Sequence, residues 1–310
     1  MFTKELFSIC TFYAVSPIHA GSGTSTSAVD LPIQRERHTN WPHIQASGVK
    51  GAMRDHYRKF AGKNQDQTIN LIFGSDKDND KDQKGFDRDY PGAISFSDAK
   101  ILCFPMRSNA APFVWVTCPT VLQRLNNDLE FAGFDSFGDI PPLEGEQALN
   151  LSGTFPEKLI IEDAIVNVTN IETAFKFPKG FPKIDRLVLI SDEMFDYCVT
   201  CCTEIQTQIK IDSETGTAKD GALRYQELMP SDTLLYSVVY FSRAAELNAL
   251  QANTIQSHIE ETIKDFIQIG GDETLGRGIC RISWVKSEKS EKSQKSEKSQ
   301  NTEETMGGAE

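Results

Sequence analysis

Residues Ser16–Lys59 read SPIHAGSGTSTSAVDLPIQRERHTNWPHIQASGVKGAMRDHYRK, a loop rich in Gly, Ser and Thr that runs into a basic helix. The loop supplies backbone N–H groups and hydroxyls, and Arg35, Arg37, Lys50, Arg54, Arg58 and Lys59 follow it closely. Donors and cations in that order are a common means of holding phosphate. Between them stands one carboxylate, Asp30, flanked by Val29 and Leu31. Two readings of it stay open: a loop cap that neutralises Arg35 and Arg37, or an acid placed for chemistry beside a bound polyanion. His19 lies in the same loop, either to assist that acid or to anchor the turn by a hydrogen bond.

Working outward, the alternation of β-type residues from Glu5 to Ser16 predicts a strand that stops at Ser16-Pro17. Ser47 is the expected N-cap of a helix reaching Phe60, with Gly62 at its C-terminal end. Val49, Met53 and Tyr57 recur every fourth residue and face a core, while Lys50, Arg54 and Arg58 form a basic ridge one residue behind. Further along, strands are expected at Ala93–Phe104, Pro112–Cys118, Arg186–Ile190, Thr233–Ser242 and Gly278–Val285. Helices are expected at Thr120–Leu129, from a Ser191 cap to Tyr197, and at about Thr254–Phe266. Phe131–Gly153 reads as irregular. QIKID from Gln208 and ALRYQ from Ala222 flank a turn with Gly216 and Gly221, which is the signature of a hairpin.

The chain of 310 residues carries a net charge of −12, which by itself argues against a nucleic-acid partner. Its distribution answers that objection. From Arg35 to Lys63 seven basic residues face two acids, whereas from Asp128 to Asp163 nine acids face one Lys. Local charge within about 10 Å governs the surface potential at moderate salt. No apolar run approaches the roughly 18 residues that would span a membrane, and the N-terminus does not read as a signal peptide. An odd count of seven cysteines without a framework favours reduced thiols and a cytosolic home.

Other motifs are weak. Asp76, Asp78 and Asp80 resemble the start of a calcium loop, but Lys81 stands where Gly belongs and Asp87 where Glu would close it. Cys198, Cys201 and Cys202 lack partners at zinc spacing and read as thiols at a helix end. The loop Gly270–Gly278 is no nucleotide motif, since it leads into a strand. Arg277 between Gly276 and Gly278 makes either a phosphate contact or part of a plain turn. The charged stretch Gly74–Gly92 and everything after Lys286 are too poor in apolar residues to order by burial.

The strings PIHAGSG from Pro17, VDLPIQRERHT from Val29 and QASGVKGAMRD from Gln45 resemble the repeat-associated RNA-binding (RAMP) superfamily. Within it they look like the repeated backbone subunit of the type III-B CRISPR effector, the Cmr complex. IDSETGT from Ile211, GALRYQELMP from Gly221 and GGDETLGRG from Gly270 extend the likeness, which covers most of Leu6–Trp284. QAS before Gly48 and Arg224 are small departures.

The resemblance implies an α+β fold, a modified RRM or ferredoxin-like palm with a β-hairpin thumb and irregular insertions. Residues 1–286 would form this one domain, with an insertion at about 74–92, a thumb at about 205–230 and a disordered tail over 287–310. It implies copies stacked head-to-tail on a CRISPR guide RNA, a complementary target RNA cut at regular intervals, other Cmr subunits as partners, and no membrane. Ser47, Gly48, Lys50, Arg54, Arg35, Arg37, Arg58, Gly276, Arg277 and Gly278 would hold RNA. Asp30 would be the catalytic acid and the ligand of a divalent ion, magnesium or manganese, with His19 and Glu227 assisting. Two alternatives remain: a structural RNA-binding subunit with an inert Asp30, and a stand-alone metal-dependent phosphodiesterase.

Overall fold

Alternating side chains on a few long strands set the frame, because both faces of the central strands are covered. In the computed structural model, which describes residues 6–61, 66–75, 91–170, 176–244 and 250–286, the chain opens with β1 (Phe7–Ala14), β2 (His43–Ile44), α1 (Ala46–Phe60) and α2 (Asp66–Phe73). Next come β3 (Ile94–Phe96), β4 (Ala99–Met106), β5 (Val114–Thr117), α3 (Pro119–Ala132), β6 (Gln147–Ser152), β7 (Lys158–Ile161) and β8 (Ala164–Asn170). Then follow β9 (Leu187–Ile190), α4 (Asp192–Cys201), β10 (Glu204–Gln208), β11 (Arg224–Leu228), β12 (Leu234–Phe241), α5 (Ala252–Thr262), β13 (Phe266–Gln268) and β14 (Ile279–Lys286).

Four of these strands lie in the order β14-β1-β12-β4, each antiparallel to its neighbour. With α1 after the first strand and α5 after the third, this is the β-α-β-β-α-β arrangement of a ferredoxin-like unit. Along β1 the side chains divide by turns. Cys10 and Phe12 join Val49, Met53 and Tyr57 of α1 and Ile255 and Ile259 of α5 in one core. Phe7 and Ile9 face the other way, into a core completed by α3 and the strands inserted between β4 and β12. Period-2 alternation explains why eight residues of β1 are almost wholly buried.

The insertion extends the main sheet through β5, β9, β6, β8 and β7, with parallel pairing at β5–β9 and β6–β8. The region expected to be irregular thus contains β6, whose Ala148 and Leu151 reach the second core. β10 and β11 stand apart as a two-stranded ladder. Its strands are displaced from the expected ones: β10 ends at Gln208, where QIKID was to begin, and pairs with Arg224. Residues 209–223 form the projecting connection, with Gly216 and Gly221 both at φ 71°.

The start of α1 also differs from expectation. Ser47 is not the cap; the helix begins at Ala46, whose N–H donates to Asp98 Oδ1 at 2.7 Å, while the Gln45 N–H donates to Gln34 Oε1 at 2.8 Å. A carboxylate distant in sequence does what a local hydroxyl was expected to do. The α1 C-terminus closes through the Ala61 N–H on Tyr57 O. Helix α5 stops at Thr262, and Phe266, expected in that helix, begins a strand. Gly62, residues 76–90 of the acidic insertion and the tail after Lys286 lie outside the described residues. Among the described residues no helix is long and apolar enough to cross a membrane.

Met53 is fully buried between α1 and the sheet. Met53→Ala should lower stability by about 2–5 kcal/mol, read from chemical denaturation of the purified chain.

Candidate nucleic-acid interface and active site

The loop after β1 does not float above the sheet. It is stitched along one edge of β11. Ile18 and Met229 exchange N–H···O bonds at 2.9 Å, the Leu31 N–H donates to Tyr225 O at 3.1 Å, and the Glu227 N–H donates to Leu31 O at 3.0 Å. Two side chains complete this edge. The Tyr225 N–H donates to Asp30 Oδ2 at 2.8 Å, and His19 Nδ1 donates to Glu227 O at 2.9 Å. Their contact points lie two residues apart on β11, roughly 7 Å. The sequence-predicted pair is therefore carried by one strand edge at the thumb's root.

Each contact leaves a useful atom. Asp30 is half-buried, and among the described residues its Oδ1 has no hydrogen bond. A carbonyl can only accept, so His19 Nδ1 must carry the proton, and in the neutral ring Nε2 keeps the lone pair. The loop backbone is tight around this histidine. Gly271 N–H donates to His19 O at 2.9 Å, and a Cβ on Gly270 would stand 2.5 Å from that oxygen.

Glu227 is placed differently from the assisting role expected of it. Its side chain is buried, and Oε1 accepts from Arg35 at 2.5 Å and from Thr203 at 2.8 Å, while Oε2 accepts from the Ile33 N–H at 3.0 Å. Both oxygens are occupied by structure. Arg35 is likewise withdrawn from RNA, because its guanidinium also donates to Asn40 O and Val199 O. This ion pair joins the loop, the thumb and the end of α4.

Arg277 belongs to a second such junction. It donates to Gln226 Oε1 and Gln206 Oε1, each at 2.5 Å, and to Asp272 Oδ2 at 3.0 Å. Gln226 also donates to Asp272 Oδ2 at 2.7 Å. Of the two readings of this loop, the structure shows the turn: Arg277 is only 11% exposed and binds the hairpin. Gly278 has φ 70°, and a Cβ there would lie 2.0 Å from Ile269 O, so packing demands glycine. Gly276, at φ 73°, has open space around it.

The basic ridge on α1 divides in the same way. Arg54 donates to Gly74 O and Asn70 Oδ1, both at 2.8 Å, and so ties α1 to α2. Lys50 is half-buried, and desolvation first, then the neighbouring Arg54, lowers its pKa. Ser47, Gly48 and Arg37 are exposed, and Arg58 is exposed with only a 3.9 Å approach to Asp55. Of the sequence-predicted cations in this group, Lys50, Arg37 and Arg58 are therefore the ones open to a ligand. Spacing marked all of these residues as candidates, but the partners that withdraw Arg35, Arg54 and Arg277 come from folding.

Among the described residues no group of three or more His, Cys, Asp or Glu could hold a metal ion. Asp30 offers one carboxylate oxygen, which fits a hydrated divalent ion only in company with substrate phosphate. Cys198, Cys201 and Cys202 stand at the C-terminal end of α4, as thiols at a helix end; Cys198 is buried, and burial raises its thiol pKa.

The family profile of the RAMP superfamily matches residues 11–281. The CRISPR system Cmr endoribonuclease Cmr4 of Pyrococcus furiosus is 36% identical over 284 residues, covering 87% of this chain and 93% of that one. The CRISPR system CMR subunit Cmr4 of Saccharolobus solfataricus is 25% identical over 309 residues, covering 88% and 94%. The crystal structure of oligomeric Cmr4 from Pyrococcus furiosus superposes with a TM-score of 0.66 at 29% identity, over 90% of this chain and 97% of that one. A chain of the type III-B Cmr-beta complex bound to cognate target RNA shares the fold, with a TM-score of 0.72 at 19% identity over 92% and 98%.

Glu227→Ala would leave the half-buried Arg35 guanidinium without its ion-pair partner. It should cost about 3–5 kcal/mol of stability, seen as a large fall in thermal midpoint. An unchanged midpoint would return Glu227 to the list of candidates for chemistry.

Proposed function

The chain belongs to the RAMP superfamily, and on that basis we propose that it is the repeated backbone subunit of a type III-B CRISPR ribonucleoprotein. In this role it binds guide RNA, stacks head-to-tail with further copies beside other Cmr subunits, and cuts complementary target RNA at regular intervals in antiviral defence. A cytoplasmic location goes with this role. The observation that carries it is the 36% identity to a Cmr endoribonuclease across nearly the whole of both chains, joined to an Asp30 held on the edge of β11 with one oxygen unengaged among the described residues.

RNA brings its own nucleophile. The 2′-oxygen attacks the adjacent phosphorus, its proton passes to a base, the bond from phosphorus to the 5′-oxygen breaks, and that oxygen takes a proton. The products are a 2′,3′-cyclic phosphate and a 5′-hydroxyl. The protein must align the attacking oxygen with the leaving one and assist the two proton transfers. His19 Nε2 is suited to accept the first proton, and Asp30 to orient the phosphodiester and the groups around it. A magnesium or manganese ion shared between Asp30 and the substrate would supply charge stabilisation. Base pairing reads the target's sequence, so the protein need hold only backbone.

Asp30→Asn keeps an acceptor for the Tyr225 N–H but removes the charge. The assembled variant should bind guide and target normally, while target cutting in magnesium falls at least about 100-fold. Cutting at the wild-type rate would show Asp30 to be inert, and wild-type cutting that persists in EDTA would remove the ion. A stand-alone phosphodiesterase would instead act without guide. Lys50→Ala should reduce the slope of log affinity against log salt by about 0.7. An unchanged slope would take α1 out of the interface.

A further inference from the structure

On the face of the sheet turned away from α1 and α5, the register lines up an aromatic residue, a cation and another aromatic residue. Phe266 of β13 lies opposite Arg281 of β14, and Arg281 lies opposite Tyr13 of β1. The Arg281 guanidinium rests 5.7 Å from the Phe266 ring centre. Beside this row, Arg186 stacks over Phe113 at 4.8 Å and Trp115 at 5.5 Å. Trp115 Nε1 donates to Asp232 O at 2.8 Å, and the Tyr13 hydroxyl donates to Asp232 Oδ1. One connected cluster thus holds both arginines around Tyr13.

Neither arginine has an ion-pair partner among the described residues. In a chain of net charge −12, Arg35, Arg58, Arg107, Arg124 and Arg277 pair with carboxylates, while Arg186 and Arg281, like Arg37, have no carboxylate partner among the described residues. Asp232 is the one acid within the cluster, and it is engaged by Tyr13. Lys183, three positions before Arg186, is exposed and pairs with Asp185 at 2.9 Å. Gly180, at φ 103°, lays this segment against β14, where a Cβ would stand 3.3 Å from Val285 Cα.

A guanidinium stacked on a ring keeps its N–H edge free for phosphate, and the half-exposed rings offer faces to bases. Cations interleaved with aromatic side chains are how single-stranded nucleic acid is held without regard to sequence. We propose that Arg186 and Arg281, with Tyr13, Phe113 and Phe266, form a second contact for single-stranded RNA, distinct from the α1 ridge. The inference rests on the RNA-binding role proposed above and adds a location to it. The cluster adjoins the thumb's root, because the Asp232 N–H donates to Ala14 O at 2.7 Å just after β11 ends. A subunit that manages two strands has use for RNA-holding surfaces on both faces of its sheet.

The test is titration of the full chain with a fluorescent, unstructured single-stranded RNA across a salt series. Arg186→Gln with Arg281→Gln should weaken binding about tenfold and lower the salt slope by about 1.4, the loss of two phosphate contacts. Arg186→Lys with Arg281→Lys, which keeps the charge, should retain the wild-type slope; this guards against a loss that is merely structural. Ultraviolet crosslinking should attach nucleotide to peptides bearing Tyr13 or Phe266. An unchanged slope in the Gln pair, or crosslinks confined to the loop and α1, overturns the inference while leaving RNA binding intact. Failure of the wild-type chain to bind any RNA would overturn both. A Gln pair that binds RNA normally but no longer associates with other copies would make this surface a protein interface, and would also overturn the inference.

Discussion

Glu227 lies buried on β11 with its carboxylate shared by Arg35, Thr203 and the Ile33 backbone, while its own N–H and C=O are taken by Leu31 and His19. Everything at the candidate site hangs from this residue. The loop after β1 buries Ile18, Ala20 and Ile33 in the core, but the stretch between Ala20 and Ile33 is rich in glycine and serine and has little apolar surface of its own. It holds its shape by adding to the edge of the thumb ladder, and the ion pair fixes where that edge lies. Asp30 and His19 are then set by the strand rather than by each other. A buried ion pair is a poor source of net stability but an effective one of position, because any other register leaves a charge unpaired in the interior.

Charge is sorted on the same principle. An acidic chain can hold RNA if its free cations are gathered and its remaining cations are neutralised. Arg35, Arg54 and Arg277 are spent on carboxylate, amide or carbonyl oxygens, which join loop to thumb, α1 to α2 and glycine loop to thumb. Lys50 and Arg58 stay open on α1, Arg37 in the loop before it, and Arg186 and Arg281 around Tyr13. Net charge therefore says little here; the partner of each guanidinium says more.

The elements of the ferredoxin-like frame were legible from local periodicity, while their arrangement was implied by the family resemblance. β1, α1, β12 and β14 each repeat their apolar residues at the spacing of a strand or a helix. The β6–β8 region was not, since its strands are short and half-exposed, and alternation is confined to Leu159 and Ile161 on β7 and Val166 and Val168 on β8. At the site, residue types and loop character pointed to phosphate and to Asp30, and the family resemblance added cutting. What could not be read was which cations remain free. Arg35 meets Glu227 across 192 positions, and Arg277 meets Gln206 across 71. No local pattern encodes those meetings. The Arg186–Arg281 cluster escaped notice for the same reason, being assembled from six separate segments.

In the proposed function one aspartate per copy, held at a fixed place on a repeated subunit, cuts a strand paired to the guide. Mapping the ends of target RNA after incubation with the assembled complex tests it most directly. Breaks are expected at a constant interval within the paired region, each leaving a 5′-hydroxyl end and a 2′,3′-cyclic phosphate. Breaks at irregular spacing, or ends bearing 5′-phosphate, would contradict it.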